Sequence, residues 1–147
     1  MASLITLVGA FAVLRVLGLL GVAALDGWLP ALRGALAAMF LLTASAHFLA
    51  PRRHELVAMV PPGLRRPGLL VTVTGVLEIA GAAGLALPAT HRLAAGCLAV
   101  LLVAMFPANV HAARTGGSLG GRSVTPLVPR TAMQVLYVGC CAAVAAS

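Results

Sequence analysis

Lysine is absent from this 147-residue chain, and charge of either sign is scarce. Charged residues make up 9% of the sequence, whereas a typical soluble domain has about 25%. Three residues are acidic and ten are arginine. With so little polar surface the chain could not cover itself in water. The composition therefore argues against a soluble domain and predicts a single integral membrane domain over residues 1–147.

Aromatic residues and cysteine motifs are also sparse. Aromatics account for 4% of the chain, so the net charge of +7 does not indicate nucleic-acid binding, which uses basic surfaces with stacked rings. Basic loops beside apolar spans instead set topology and meet anionic lipid headgroups. The three cysteines lie in apolar runs and form no C-x-x-C motif. They predict packing residues rather than a dithiol centre.

Long apolar runs are what the chain does have. A spanning helix needs about 20 apolar residues, and five segments approach that length: 4–25, 32–50, 69–87, 93–113 and 127–146. Prolines lie near their ends, as helix-limiting residues should. The pattern predicts an all-α, polytopic transmembrane helix bundle. A cleaved signal peptide is the alternative for the first segment, but Arg15 interrupts that run and no basic region precedes it.

The loops between segments suggest further structure. Residues 51–61 could form a short interfacial helix, with Leu56, Val57, Met59 and Val60 at the headgroup level. The glycine-rich stretch 115–122 matches no phosphate-binding fingerprint and predicts a flexible connection.

The arginines predict an orientation. Seven lie on the side shared by the N-terminus and the two long loops: Arg52, Arg53, Arg65, Arg66, Arg114, Arg122 and Arg130. Two lie on the other side, Arg33 and Arg92. Because positive loops stay in the cytoplasm, we expect a multi-pass protein of the inner (plasma) membrane with a cytoplasmic N-terminus and cytoplasmic long loops.

One acid lies inside a predicted span. Glu78 is the single charged residue of segment 69–87. An ionisable group at this depth is costly, normally faces the interior of a bundle, and by default indicates function. We therefore interpret Glu78 as the centre of the candidate site.

Polar residues of three other segments lie in the same half of the bilayer, under the long loops. A rise of about 1.5 Å per residue places Glu78 at a depth close to that of His47, Asn109, His111, Arg130 and Gln134. Together they predict a polar pocket open to one face. A structural role stays open for each: histidines that cap carbonyls, an arginine that anchors topology, or amides that join helices. No metal or haem site is predicted, because the histidines lack ligand spacing and an aromatic cradle.

Arg15 lies about as deep as Glu78 if both helices start on the same face. An unpaired arginine at a helix centre costs roughly 2.5–3.5 kcal/mol on insertion scales. We therefore predict an Arg15–Glu78 ion pair, direct or bridged by water, which would make Arg15 part of the ligand-binding pocket.

Four sequence blocks resemble the DoxX-like family of small bacterial membrane proteins. They are AHFLAP at 46–51, TGVLEIAG at 74–81, FPANVH at 106–111 and PRTAMQ at 129–134. The resemblance covers roughly residues 32–146 and implies a four-helix core, to which segment 4–25 is an additional N-terminal helix. It carries the family pattern onto His47, Pro51, Gly75, Glu78, Gly81, Pro107, Asn109, His111, Arg130 and Gln134.

Some DoxX-like proteins are named as subunits of quinone-reducing oxidoreductases, and related four-helix proteins are associated with thiol–disulfide exchange. This chain departs from the latter because it has no C-x-x-C motif. The resemblance implies a redox-linked protein that binds a small lipophilic molecule, a quinone or isoprenoid-like compound, beside a partner oxidoreductase or a second copy. No cofactor is encoded in the chain itself.

In this interpretation the site residues divide by role. Glu78 carries the proton, His47 and His111 exchange it, and the remaining residues bind the ligand: Asn109, Gln134, Arg130 and Arg15. Two alternatives stay open. The chain could be a non-catalytic subunit or assembly factor, or a membrane-embedded acid–base enzyme such as an isomerase or cyclase.

Overall fold

A computed structural model describes residues 1–116, 118–119, 122–123 and 125–147. Its α-helices are α1 (Ala2–Leu19), α2 (Trp28–Phe48), α3 (Arg52–Met59), α4 (Pro67–Ala86), α5 (His91–Thr115) and α6 (Leu127–Ala145). All except α3 are long and apolar enough to span a membrane. The predicted all-helical bundle with five spans is therefore confirmed.

The remaining elements are short. A 3-10 helix covers Ala23–Leu25, and β1 (Ser118–Leu119) pairs antiparallel with β2 (Arg122–Ser123). Residues 117, 120 and 121 of the connection predicted for 115–122 lie outside the described residues.

Helix α1 ends earlier than the apolar run that contains it. Its last residue is Leu19, whereas the hydrophobic segment continues to Leu25. The chain turns at Gly21, whose φ of 102° favours glycine. The turn folds back on α1 because Gly18 has no side chain: a Cβ there would overlap the carbonyl of Leu25. Apolar composition alone does not reveal such a turn.

The core is formed by four helices in a ring. Helix α4 packs against α2 and α5, and α6 packs against α5 and α2. The buried centre contains Leu36, Phe40, Leu85, Leu98 and Cys141. Helix α1 packs mainly on α2, buries Leu7 in the core and contacts α6 through a hydrogen bond between Ser3 and Tyr137. Large apolar side chains cover the outer faces of the spans, where lipid would solvate them.

The link between α2 and α4 contains the short helix predicted from the sequence. Helix α3 packs against α2, α4 and α5. Met59 is buried, and Leu56 and Val57 are half-buried. The predicted helix is thus confirmed, and it lies at the end of the bundle where α2 and α5 finish and α4 and α6 begin, called here the long-loop end.

Candidate functional site

Glu78 of α4 and His47 of α2 face each other inside the bundle. Each is about 3% exposed, and His47 Nε2 lies 3.8 Å from Glu78 Oε1. The sequence placed both residues in one half of the bilayer, and the structure brings them together at the contact between α2 and α4. They are the two buried polar or charged residues in the described part of the chain.

A glycine allows this approach. Gly75 lies three residues, nearly one turn, before Glu78 on the same face of α4. A Cβ at Gly75 would lie 2.6 Å from the Cβ of His47 and 2.9 Å from Cε2 of Phe48. Any larger residue would therefore push α2 away from α4 beside the pair.

Hydrogen bonds fix the chemistry of the pair. Thr43, one turn before His47 on α2, donates to Oε2 of Glu78 at 2.8 Å. His47 Nδ1 lies 2.7 Å from the carbonyl of Val71 and 3.1 Å from the hydroxyl of Thr74. A carbonyl oxygen can only accept, so Nδ1 carries a hydrogen.

That assignment leaves the lone pair of a neutral imidazole on Nε2, which faces the carboxyl group of Glu78. The separation of 3.8 Å exceeds a hydrogen bond. A single proton can be bound by either of the two facing atoms. On Nε2 it produces an imidazolium–carboxylate ion pair, and on Oε1 it produces two neutral groups. The arrangement can therefore hold one proton on either group within the membrane-spanning region.

Arg53 of α3 forms hydrogen bonds to both α2 and α4 at the long-loop end of this site. Its Nη1 donates to the carbonyl of His47 at 2.6 Å, and its Nη2 donates to the Thr72 hydroxyl at 3.0 Å and to the Gly68 carbonyl at 3.3 Å. The His47 carbonyl belongs to the last turn of α2, where no intrahelical donor remains. Arg53 thus links the end of α2 to the start of α4.

Two residues of this site were missed in the sequence. Arg53 was counted as a topology residue, and Thr43 was not singled out. The i, i+4 spacing of Thr43 and His47 was a usable signal, because such residues share a helix face. The role of Arg53 depends on where α3 packs, which the sequence does not encode locally.

Three other predicted site residues make contacts between α5 and α6. Arg130 Nη1 donates to Oδ1 of Asn109 at 2.6 Å, and Gln134 Nε2 donates to the carbonyl of Leu102 at 2.6 Å. His111 is half-buried, and its ring makes no hydrogen bond within the described ranges. No hydrogen bond or ion pair between described residues joins these contacts to Glu78. The predicted site residues thus make two groups of contacts, one around the His47–Glu78 pair and one between α5 and α6.

The direct ion pair predicted between Arg15 and Glu78 is absent from the described part of the chain. Nη1 of Arg15 is buried and has no hydrogen-bond partner. Leu14 packs against Gly34, six residues into α2, so Arg15 lies toward the end opposite the long loops. Glu78 lies closer to the middle of the bundle.

A groove opens elsewhere on the surface. It has a volume of about 360 Å³ and is lined only by apolar residues of α5 and α6: Ala99, Val100, Val103, Ala104 and Val138. In the described ranges, no three His, Cys, Asp or Glu side chains converge on a position for a metal ion.

The fold and the buried pair define a small polytopic helical membrane protein. The sequence profile of a family described as a domain of unknown function (DUF8561) matches residues 36–145, which is well over half of the chain. The chain belongs to this family. The matched range contains both groups of contacts and excludes α1 and Arg15. No curated protein and no solved structure matches the chain.

Proposed function

We propose that this chain is a DoxX-like membrane protein that binds a small lipophilic molecule, a quinone or isoprenoid-like compound, in a redox-linked role. The observation that carries the proposal is the buried pair of His47 and Glu78, with its facing atoms 3.8 Å apart. Ionisable groups within spans are costly and usually functional.

The geometry of the pair fits a ligand oxygen. Nε2 of His47 and Oε1 of Glu78 have no hydrogen bond with described residues, whereas Oε2 is held by Thr43. A hydroxyl oxygen beside the axis joining these atoms could lie about 2.8 Å from both, accepting a hydrogen bond from the protonated atom and donating one to the other. Both side chains are buried, so the ligand would enter by slight separation of α2 and α4.

In this role the pair supplies or accepts the proton that accompanies reduction or oxidation of the ligand oxygen. Thr43 holds the carboxyl group in place, and Arg53 holds the end of α2 that carries His47. His111 would exchange protons with water nearer the long-loop end. A partner oxidoreductase or a bound cofactor would supply the electrons when the ligand is reduced and accept them when it is oxidised.

A structural subunit is the second candidate. It is favoured by the hydrogen bonds that Arg53 and Gln134 donate to backbone carbonyls of neighbouring helices. Such hydrogen bonds hold helices together and need no part in a reaction. A membrane-embedded acid–base enzyme would use the same pair without a redox step.

We also propose that the long-loop end faces the cytoplasm of a bacterial inner membrane. Seven arginines on that side against two on the other support this orientation.

Mass spectrometry of lipophilic molecules that co-purify with the detergent-solubilised protein tests the proposal. Wild type should retain a quinone or isoprenoid, and Glu78→Gln should lose it while keeping its helical circular dichroism. Thr115→Ala, at the exposed end of α5, is a control that should retain the ligand. Equal retention by Glu78→Gln would reject the pair as the binding site. Co-purification of partner subunits, with no small molecule retained, would favour the structural role.

A further inference from the structure

Arg130 carries a positive charge that no ion pair between described residues neutralises. Its hydrogen-bond partner is the neutral amide of Asn109, and no carboxylate of the described residues lies within ion-pair distance. Its Nε is buried without a partner. A guanidinium group has five N–H donors, so most of its capacity is unused here.

Two of the three acidic residues of the chain lie away from Arg130, and the ion pairs between described residues do not join Arg130 to the third, Glu55 of α3. Glu78 is held by Thr43 at the contact between α2 and α4. Asp26 lies between α1 and α2, at the end opposite the start of α6. Arg130 is in the first turn of α6, about 4.5 Å along the helix from Leu127. This depth corresponds to the region of lipid headgroups.

We infer that Arg130, held in position by Asn109, binds a phosphate group at the long-loop end of α5 and α6, at a site separate from the His47–Glu78 pair. Guanidinium groups match phosphate oxygens in geometry and charge. Asn109 accepts a hydrogen bond from Nη1 at 2.6 Å and so fixes the direction of the remaining donors.

The phosphate could belong to a phospholipid or be free in solution. The groove between α5 and α6 suits a phospholipid. Val103 and Ala104 precede Asn109 by six and five residues, and Val138 follows Arg130 by eight. The groove thus lies deeper in the membrane on the same two helices, within reach of an acyl chain of a lipid whose phosphate contacts Arg130.

Native mass spectrometry of delipidated protein tests this inference with three probes: phosphatidylglycerol, phosphatidylcholine and inorganic phosphate. Arg130→Gln removes the cation. Asn109→Asp keeps the shape of the side chain but places a carboxylate against the guanidinium, where it competes with an external anion. Arg92→Gln, an exposed arginine at the opposite end, is the matched control. Circular dichroism verifies folding of each variant.

We expect wild type and Arg92→Gln to bind phosphatidylglycerol in preference to phosphatidylcholine. Arg130→Gln and Asn109→Asp should each bind it about tenfold more weakly, the usual effect of losing one charge-assisted hydrogen bond. Binding of inorganic phosphate with the same dependence on Arg130, and without lipid preference, would identify free phosphate as the source. Equal binding of every probe by all four proteins, or no binding by wild type, would overturn the inference.

Discussion

The close approach of α2 and α4 at Gly75 leads to a quantitative prediction. In Gly75→Ala the new Cβ would lie 2.6 Å from Cβ of His47, whereas carbon atoms pack at about 3.5–4.0 Å. The two helices must separate locally by about 1 Å to relieve this contact. Overpacking of this kind typically destabilises a protein by about 1–3 kcal/mol.

Two other glycines supply controls. In Gly96→Ala the added methyl group meets nothing within 4 Å, so this variant should be as stable as wild type or slightly more stable, because alanine favours helix. Gly81→Ala directs its methyl group at Leu98, at 2.5 Å from Cγ. We expect Gly81→Ala to lower the free energy of unfolding about as much as Gly75→Ala does. The cause would be overpacking between α4 and α5, away from His47.

Thermal unfolding in detergent and ligand retention measure the two consequences. Gly75→Ala and Gly81→Ala should both unfold at lower temperature than Gly96→Ala. Gly75→Ala alone should also change the amount of co-purifying ligand, because it alters the gap between His47 and Glu78. Equal stability of Gly75→Ala and Gly96→Ala would refute the packing argument. An equal change in ligand retention in the Gly75 and Gly81 variants would refute the link to the pair.

Three further predictions concern individual side chains. Thr43→Val removes the donor to Glu78 Oε2 and should lower stability by about 1–3 kcal/mol, whereas Thr43→Ser should keep most of it; equal unfolding temperatures for the two variants would contradict this bond. Nitrogen-15 NMR of histidine-labelled protein should find a hydrogen on Nδ1 of His47; a ring with hydrogen on Nε2 alone would contradict the contact with Val71. Arg15→Met should be neutral or stabilising in unfolding experiments, because Nη1 is buried without a partner; a loss of about 3 kcal/mol, typical of a broken buried pair, would instead support a water-bridged pair with Glu78.

The helices and the position of Glu78 were predictable because the bilayer imposes simple rules. Apolar length predicts spans, and rise per residue predicts depth, so Glu78 and His47 could be assigned to the same half of the bundle. Depth contains no information about which helices are neighbours. For this reason Asn109 and Arg130 were assigned to the pocket of Glu78, whereas they pair with each other across α5 and α6.

The direct Arg15–Glu78 pair was predicted from depth counted from the start of each helix. Counted from the far ends, the two positions differ, because α1 ends at Leu19, six residues before its apolar run ends. Arg15 is therefore one turn from the end of its helix, while Glu78 is eight residues from the end of α4. The turn depends on the fit of Gly18 against Leu25, a tertiary contact that hydropathy does not report.

The composition of the contact between α2 and α4 argues for a function beyond packing. A buried pair of ionisable groups usually stabilises a fold no better than apolar residues of similar size, and glycine within a helix costs about 0.5–1 kcal/mol relative to alanine. Both features occur together at His47, Gly75 and Glu78. A contact needed only for stability could use apolar side chains and alanine. The arrangement is instead explained if the carboxyl group and the imidazole must face each other closely enough to share a proton with a ligand.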